Sequence, residues 1–219
     1  FHRFVIENIN GERLVSSNDK RIIDLFFEEE FLPLTAEFLS YSEGVTGKMI
    51  SRLISKLEQE LAEKYPEAQW VGSFRNDVDR RAPQNFDRSY SGIYFTKPAW
   101  QGRYSIGFEN QSPHGKHVWF GLKYVGKPHP ATPDILQLAT DLNNHFQVEG
   151  KSNQYWLWGA YLAELGYNEY SSWSDPDVVR QMTTLQQMPS RLGGLMISVL
   201  DFIGDRLDGK GEIPSASET

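Results

Sequence analysis

The sequence predicts an α+β fold, with a central antiparallel sheet of about four strands flanked by N-terminal and C-terminal helices. Two observations predict it. Apolar residues recur at helical spacing toward both ends of the chain, whereas between Gln69 and Tyr124 they fall into short aromatic and β-branched runs separated by turn residues.

The elements follow in order. Asp19 is placed to cap a helix carrying Ile22, Ile23, Phe26, Phe27 and Phe31, with Glu28, Glu29 and Glu30 on its solvated side. Pro33 breaks it before a shorter helical piece around Leu34 to Leu39. Thr46 to Lys64 reads as a second helix, since Met49, Ile50, Leu53, Ile54, Leu57 and Leu61 share one face and Pro66 stops it. The sheet should then comprise Gln69 to Phe74, Tyr90 to Thr96, Arg103 to Gln111 and His117 to Tyr124. Within the third strand Tyr104, Ile106 and Phe108 share the buried face, and Ser105, Gly107 and Glu109 point the other way.

From Thr132 the period becomes helical again. Thr132 before Pro133 suits a helix start, and Ile135, Leu138, Ala139, Leu142 and Phe146 form its apolar face. Tyr155 to Leu165 stays open between strand and helix, because Trp156 and Trp158 alternate while Tyr161, Leu162 and Leu165 are spaced helically. Ser174 and Asp177 resemble a capping box for a helix with Val178, Val179, Met182 and Leu185. The last helix, after Pro189, carries Leu192, Leu195, Met196, Val199, Leu200, Ile203 and Leu207. No internal repeat or long linker interrupts the chain. Residues 1–208 are therefore expected to form one domain, with 1–66 mainly helical, 67–127 the sheet and 128–208 helical, and 209–219 is expected to be a disordered tail.

Composition narrows the function classes. The chain has 219 residues, 39% hydrophobic and 23% charged, enough for a sizeable core. No apolar run approaches the roughly 18 to 20 residues that cross a bilayer, and FHRFVIENING lacks the features of a signal peptide. These features lead us to expect a cytoplasmic protein with no membrane partner. Zero cysteines exclude disulfides, thiolate zinc sites and cysteine nucleophiles. A start at Phe1 suggests a piece of a longer chain whose upstream part carries further function.

Charge is unevenly spread. The total is −7, yet Arg75 to Lys127 holds nine Lys and Arg against four Asp and Glu. Such a strip points to an anionic partner, nucleic acid first. Its candidate contacts are Arg75, Arg80, Arg81, Arg88, Lys97, Arg103 and Trp100, the last a large aromatic at a hairpin tip between two cations.

Catalytic candidates lie in the same strip. A hairpin centred on Pro98 would bring Asp87 and Glu109 side by side at one sheet end, where paired carboxylates can hold Mg²⁺ while the nearby arginines hold phosphates. A turn-capping Asp87 and an arginine-paired Glu109 would fit the same spacing. His114, His117 and His129 lie on turn-rich sequence with no helical face to aim them at a metal, and GVTGKM at Gly44 to Met49 fails the phosphate-loop pattern.

Asp87 followed by Glu109, Asn110 and Gln111 resembles a degenerate PD-(D/E)XK nuclease signature. Gln111 stands in the lysine position, with Lys116 and Lys123 further along. In that resemblance Asp87 and Glu109 would bind metal, with Gln111 or Lys116 assisting. The order GIYFTKPAW, YSIGFEN, VWFGLKY, YWLWGAYL and a final amphipathic helix is similar to the C-terminal region that follows the catalytic domain in some bacterial PD-(D/E)XK proteins, over about residues 30 to 208. That similarity implies a non-catalytic module binding nucleic acid or a partner, joined to or acting with an upstream nuclease domain or partner chain; no cofactor is certain, and Mg²⁺ enters only if the chain is catalytic. A Mg²⁺-dependent endonuclease is the second expectation. The third is a protein-interaction or small-ligand domain with an aromatic sheet that associates through Trp100.

Overall fold

The computed structural model describes residues 24, 28–30, 49–71, 89–112, 115–126, 132–173, 175, 178–179, 181–182 and 187–208. Among them the fold is α+β, as the sequence predicts, with five antiparallel strands rather than about four, in the order β1-β2-β3-β4-β5. The strands are β1 (Gln69–Trp70), β2 (Gly92–Thr96), β3 (Tyr104–Ser112), β4 (Lys116–Tyr124) and β5 (Trp156–Tyr161). Helix α1 covers residues 49–62, α2 is Pro133–Phe146 and α3 is Met188–Ile203. β5 makes a strand of the segment Tyr155 to Leu165 that the sequence leaves open, within the otherwise helical span 128–208. The helical start before Pro33 falls largely outside the described residues, as do Ser174, Asp177 and 209–219, although Glu28, Glu29 and Glu30 are exposed as expected. No helix among the described residues is long and apolar enough to cross a membrane.

The strands are held by their register. Ile93 pairs with Phe108 and Phe108 with Phe120, so the inward residues of three neighbouring strands stack in rows. One sheet face, with Ile93, Phe95, Ile106, Phe108, Val118, Phe120 and Leu122, joins Leu53, Leu57, Leu138, Leu142, Leu192, Met196 and Val199 of the helices in one core cluster. Each fully buried large side chain there contributes roughly 1.5–3 kcal/mol.

Polar contacts fix how the helices dock. Lys64 Nζ and Tyr65 Oη donate to Asp201 at 2.5 and 2.6 Å, and Ser190 Oγ donates to Glu60 at 2.6 Å, joining α1 to α3. Gly193 permits that approach, since a Cβ there would lie 2.9 Å from Glu60 Cβ. Thr132 takes the N-cap position of α2 in extended conformation, without a side-chain capping bond. At the other end of α2, Asn143 Oδ1 accepts from Trp158 Nε1 and from the Gly150 N–H, both at 2.8 Å, which ties the helix to β5.

Candidate functional site

The second sheet face carries the polar chemistry. Three cross-strand rows define it: Ser105 with Lys123 and Trp156, then Tyr94 with Gly107, Gly121 and Gly159, then Gly92 with Glu109, Trp119 and Tyr161. The middle row is glycine beyond Tyr94, and its backbone admits nothing larger. A Cβ at Gly107 would fall 1.9 Å from the Ile93 carbonyl oxygen, and one at Gly121 2.2 Å from that of Trp158. Rings take up the space the glycines leave open. Tyr94 lies over Gly92 and the Trp119 indole over Gly159, where added Cβ atoms would meet them at 2.7 and 2.2 Å. Tyr94, Trp119 and Trp156 thereby form a second small cluster, each 6% exposed.

Because the middle row carries no side chain on β3 or β4, Lys123 can reach across it to Glu109. Glu109 is only 2% exposed, while the Lys123 side chain retains 25%. Lys123 Nζ and the Tyr94 hydroxyl both donate to Glu109 Oε2, and Gln111 Nε2 donates to Oε1 at 2.9 Å. Lys123 Nζ also donates to the Tyr94 hydroxyl at 3.2 Å and sits over two rings, 5.0 Å from the centroid of Tyr94 and 5.2 Å from that of Trp156. A carboxylate removed from water needs this much compensation. Burial, and then the Glu109 charge, raise the Tyr94 phenol well above the ordinary tyrosine value, which keeps it a donor.

The hairpin register expected from the sequence is corrected. Glu109 is opposite Gly92, so the hairpin is centred near Trp100 and Gln101 rather than on Pro98. Pro98–Trp100 forms a short 3-10 helix, and Gln101 and Gly102 take the left-handed conformation that turns the chain. Asp87 lies outside the described residues, as do Arg75, Arg80, Arg81 and Arg88. Among the described residues no group of three His, Asp or Glu is placed to hold a metal. Among the described residues Glu109 is the one buried carboxylate, and both its oxygens are bonded by protein donors, which does not fit a Mg²⁺ ligand set.

Trp100 is corrected too. It is 1% exposed, packed edge-on to Tyr104 at 6.4 Å, and so is part of the core rather than an exposed hairpin contact. Lys97 lies over the Tyr65 and Trp100 rings at 5.7 and 5.9 Å and pairs with Asp208 at 3.7 Å. Its side chain is 12% exposed, so it joins the hairpin to the turn after α3 and offers little to a phosphate. Arg103 is half-buried beside Tyr104, and Lys116 is half-buried at the start of β4. Gln111 does stand beside Glu109 as the signature places it, but as a hydrogen-bond donor.

Lys123 and Tyr94 are the site residues the sequence did not single out. Their signal was strand parity, since Tyr94 and Lys123 fall on the Glu109 side of their strands. Compared with protein-family models, curated proteins and solved structures, the chain matches none.

Proposed function

We propose that this chain is a non-catalytic module that binds nucleic acid or a partner chain and works with a nuclease of the PD-(D/E)XK type. The observation that carries the non-catalytic part is the closed state of Glu109. Lys123, Tyr94 and Gln111 occupy the carboxylate that the signature would give to metal. The binding part is supported by the basic strip, whose candidate contacts Arg75, Arg80, Arg81, Arg88 and Arg103 remain, while Lys97 and Lys123 are spent on internal ion pairs. Arg80→Ala with Arg81→Ala should weaken binding to DNA or RNA and reduce its salt dependence. Unchanged binding would remove the electrostatic basis of the proposal.

One observation favours a second reading, a Mg²⁺-dependent endonuclease that uses Asp87 and Glu109. Lys123 brings to Glu109 the ammonium that Gln111 lacks. That reading requires Glu109 to exchange its protein donors for metal, and it predicts cleavage that disappears in Glu109→Gln with the fold retained.

A further inference from the structure

α3 carries two adjacent glycines of which the fold asks different things. Gly193 is buried against Glu60, where a Cβ would lie 2.9 Å from the Glu60 Cβ. Gly194 is exposed, and a Cβ there would meet nothing within 4 Å. A glycine inside a helix destabilises it relative to alanine, so packing offers no reason for Gly194. What its missing side chain leaves is space. Gly194 lines an open cavity of about 490 Å³, bordered also by Ile197, Ser198, Asp201 and Phe202 of α3 and by His145 of α2. That volume lies within the roughly 300–1,000 Å³ of small-molecule sites.

The five α3 residues share one helical face, since they follow at three- and four-residue steps. The His145 ring stacks on Phe202 at 4.3 Å and stands nearly perpendicular to Phe146 at 4.7 Å, so two rings fix the imidazole at the cavity edge. Asp201 accepts one bond on each oxygen, from Lys64 Nζ and Tyr65 Oη. Those two donors hold its carboxyl below the usual range, and an ionised carboxylate oxygen has a second lone pair for a further donor. Ser198 and His145 can each donate or accept.

The charges beside the cavity are balanced. Lys64 pairs with Asp201, and Arg206, which lies over Phe202 at 5.1 Å, donates to Asp141 at 2.8 Å. A cationic guest would meet both of these cations, so a neutral guest with hydrogen-bond donors suits the cavity better.

We propose that the cavity between α2 and α3 binds one neutral, flat, amino-bearing heteroaromatic ring of the nucleobase type, stacked on His145 with its amino group donating to Asp201. The inference goes beyond the nucleic-acid reading, because the cavity lies on helices and the basic strip does not. Such a ring is carried alike by a free nucleoside and by an unstacked base of a single strand.

The test is ligand-observed NMR titration of the whole chain with two pairs of probes: adenosine against purine riboside, which lacks the amino group, and a short dA strand against a dT strand. The amino-bearing member should bind roughly tenfold or more tightly, and Asp201→Ala should erase that preference. His145→Ala should weaken binding roughly 5- to 150-fold, the conversion of about 1–3 kcal/mol per stacked base, and His145→Phe should retain it. Gly194→Met should fill the cavity and abolish binding while keeping the thermal midpoint at or above that of wild type, because the new side chain starts in open space and methionine is the better helix former. A preference for adenosine makes a free nucleoside the source of the ring, and one confined to the dA strand makes it a base in a strand; both support the proposal. Binding that Gly194→Met leaves intact, no binding of any probe, or no preference within either pair overturns it. The nucleic-acid reading is then untouched, since Arg80→Ala with Arg81→Ala tests that separately.

Discussion

Glu109 and Lys123 form an ion pair across two strands, reaching each other over a row that is glycine on both. Lys123 is in the row of Ser105 and Glu109 in the row of Trp119, with Gly107 and Gly121 between them. The pair is asymmetric, since Glu109 is 2% exposed and Lys123 keeps a quarter of its side chain in water. Removing the lysine therefore leaves a buried charge, and Lys123→Met should cost roughly 3 kcal/mol in urea unfolding. Glu109→Gln should cost less, because a neutral amide can still bond Tyr94 and Gln111 and the ammonium can turn to solvent. The double variant should be more stable than Lys123→Met alone. Equal losses in both single variants would contradict the asymmetry.

The glycine row gives a contrast within one residue type. Gly107→Ala and Gly121→Ala drive a Cβ into a carbonyl of the neighbouring strand and should cost several kcal/mol or prevent folding. Gly194→Ala, in α3 with nothing within 4 Å of the added atom, should stabilise by about 0.5–1 kcal/mol. Thermal melts of the three variants check both signs.

Alkaline pH should destabilise the protein through its buried tyrosines. Burial and then Glu109 raise Tyr94 well above 10.0, and burial raises Tyr124 to about 12. Above about pH 10 the unfolded chain releases these protons while the folded chain keeps them, so stability falls as pH rises through that range. The Tyr94→Phe variant should show a shallower decline of the urea midpoint between about pH 9.5 and 11.5.

At low pH the sign reverses. The Asp201 carboxyl is held below 3.8 by hydrogen bonds from Lys64 and then Tyr65, and Asp141 is held below 3.8 by Gln137 and then Arg206. Each adds stability that is present above the unfolded value and is lost as pH falls through the folded one. Asp201→Asn should flatten the loss of stability below about pH 4, and because the pair is exposed its effect at neutral pH should be small.

Trp100 separates core from contact surface. With 1% exposure it should behave as a core residue, and Trp100→Ala should cost about 3–5 kcal/mol. Trp100→Phe, which keeps most of the volume, should bind nucleic acid as wild type does. A selective loss of binding in Trp100→Phe with unchanged stability would return this residue to the interface.

How much was legible depended on how local the determinant was. α1, α2 and α3 carry their apolar stripe within a few turns, so Leu53, Leu57, Leu142 and Val199 announce their helices. β5 was ambiguous for a reason the fold supplies. Both its faces are covered, Trp156 and Tyr161 in the outer cluster and Trp158 and Leu162 in the main core, so it lacks the polar face that sets a strand apart from a helix in sequence. Trp100 looked exposed because the contact that covers it is not local: Lys97, over its ring, pairs with Asp208 beyond α3. Lys123 had no pairing signal either, since its partner stands 14 residues away, and the glycines that let them meet carry no charge pattern.

The central claim is that Glu109 is structurally closed and the chain does not cleave nucleic acid. The most direct test incubates the protein with labelled single- and double-stranded DNA in Mg²⁺ and then Mn²⁺, beside Glu109→Gln, and follows the thermal midpoint of both proteins as metal is added. The account predicts no cleavage that depends on Glu109 and no metal-induced rise in midpoint that Glu109→Gln abolishes. Cleavage by the wild type that vanishes in Glu109→Gln would contradict it and make Glu109 a metal ligand.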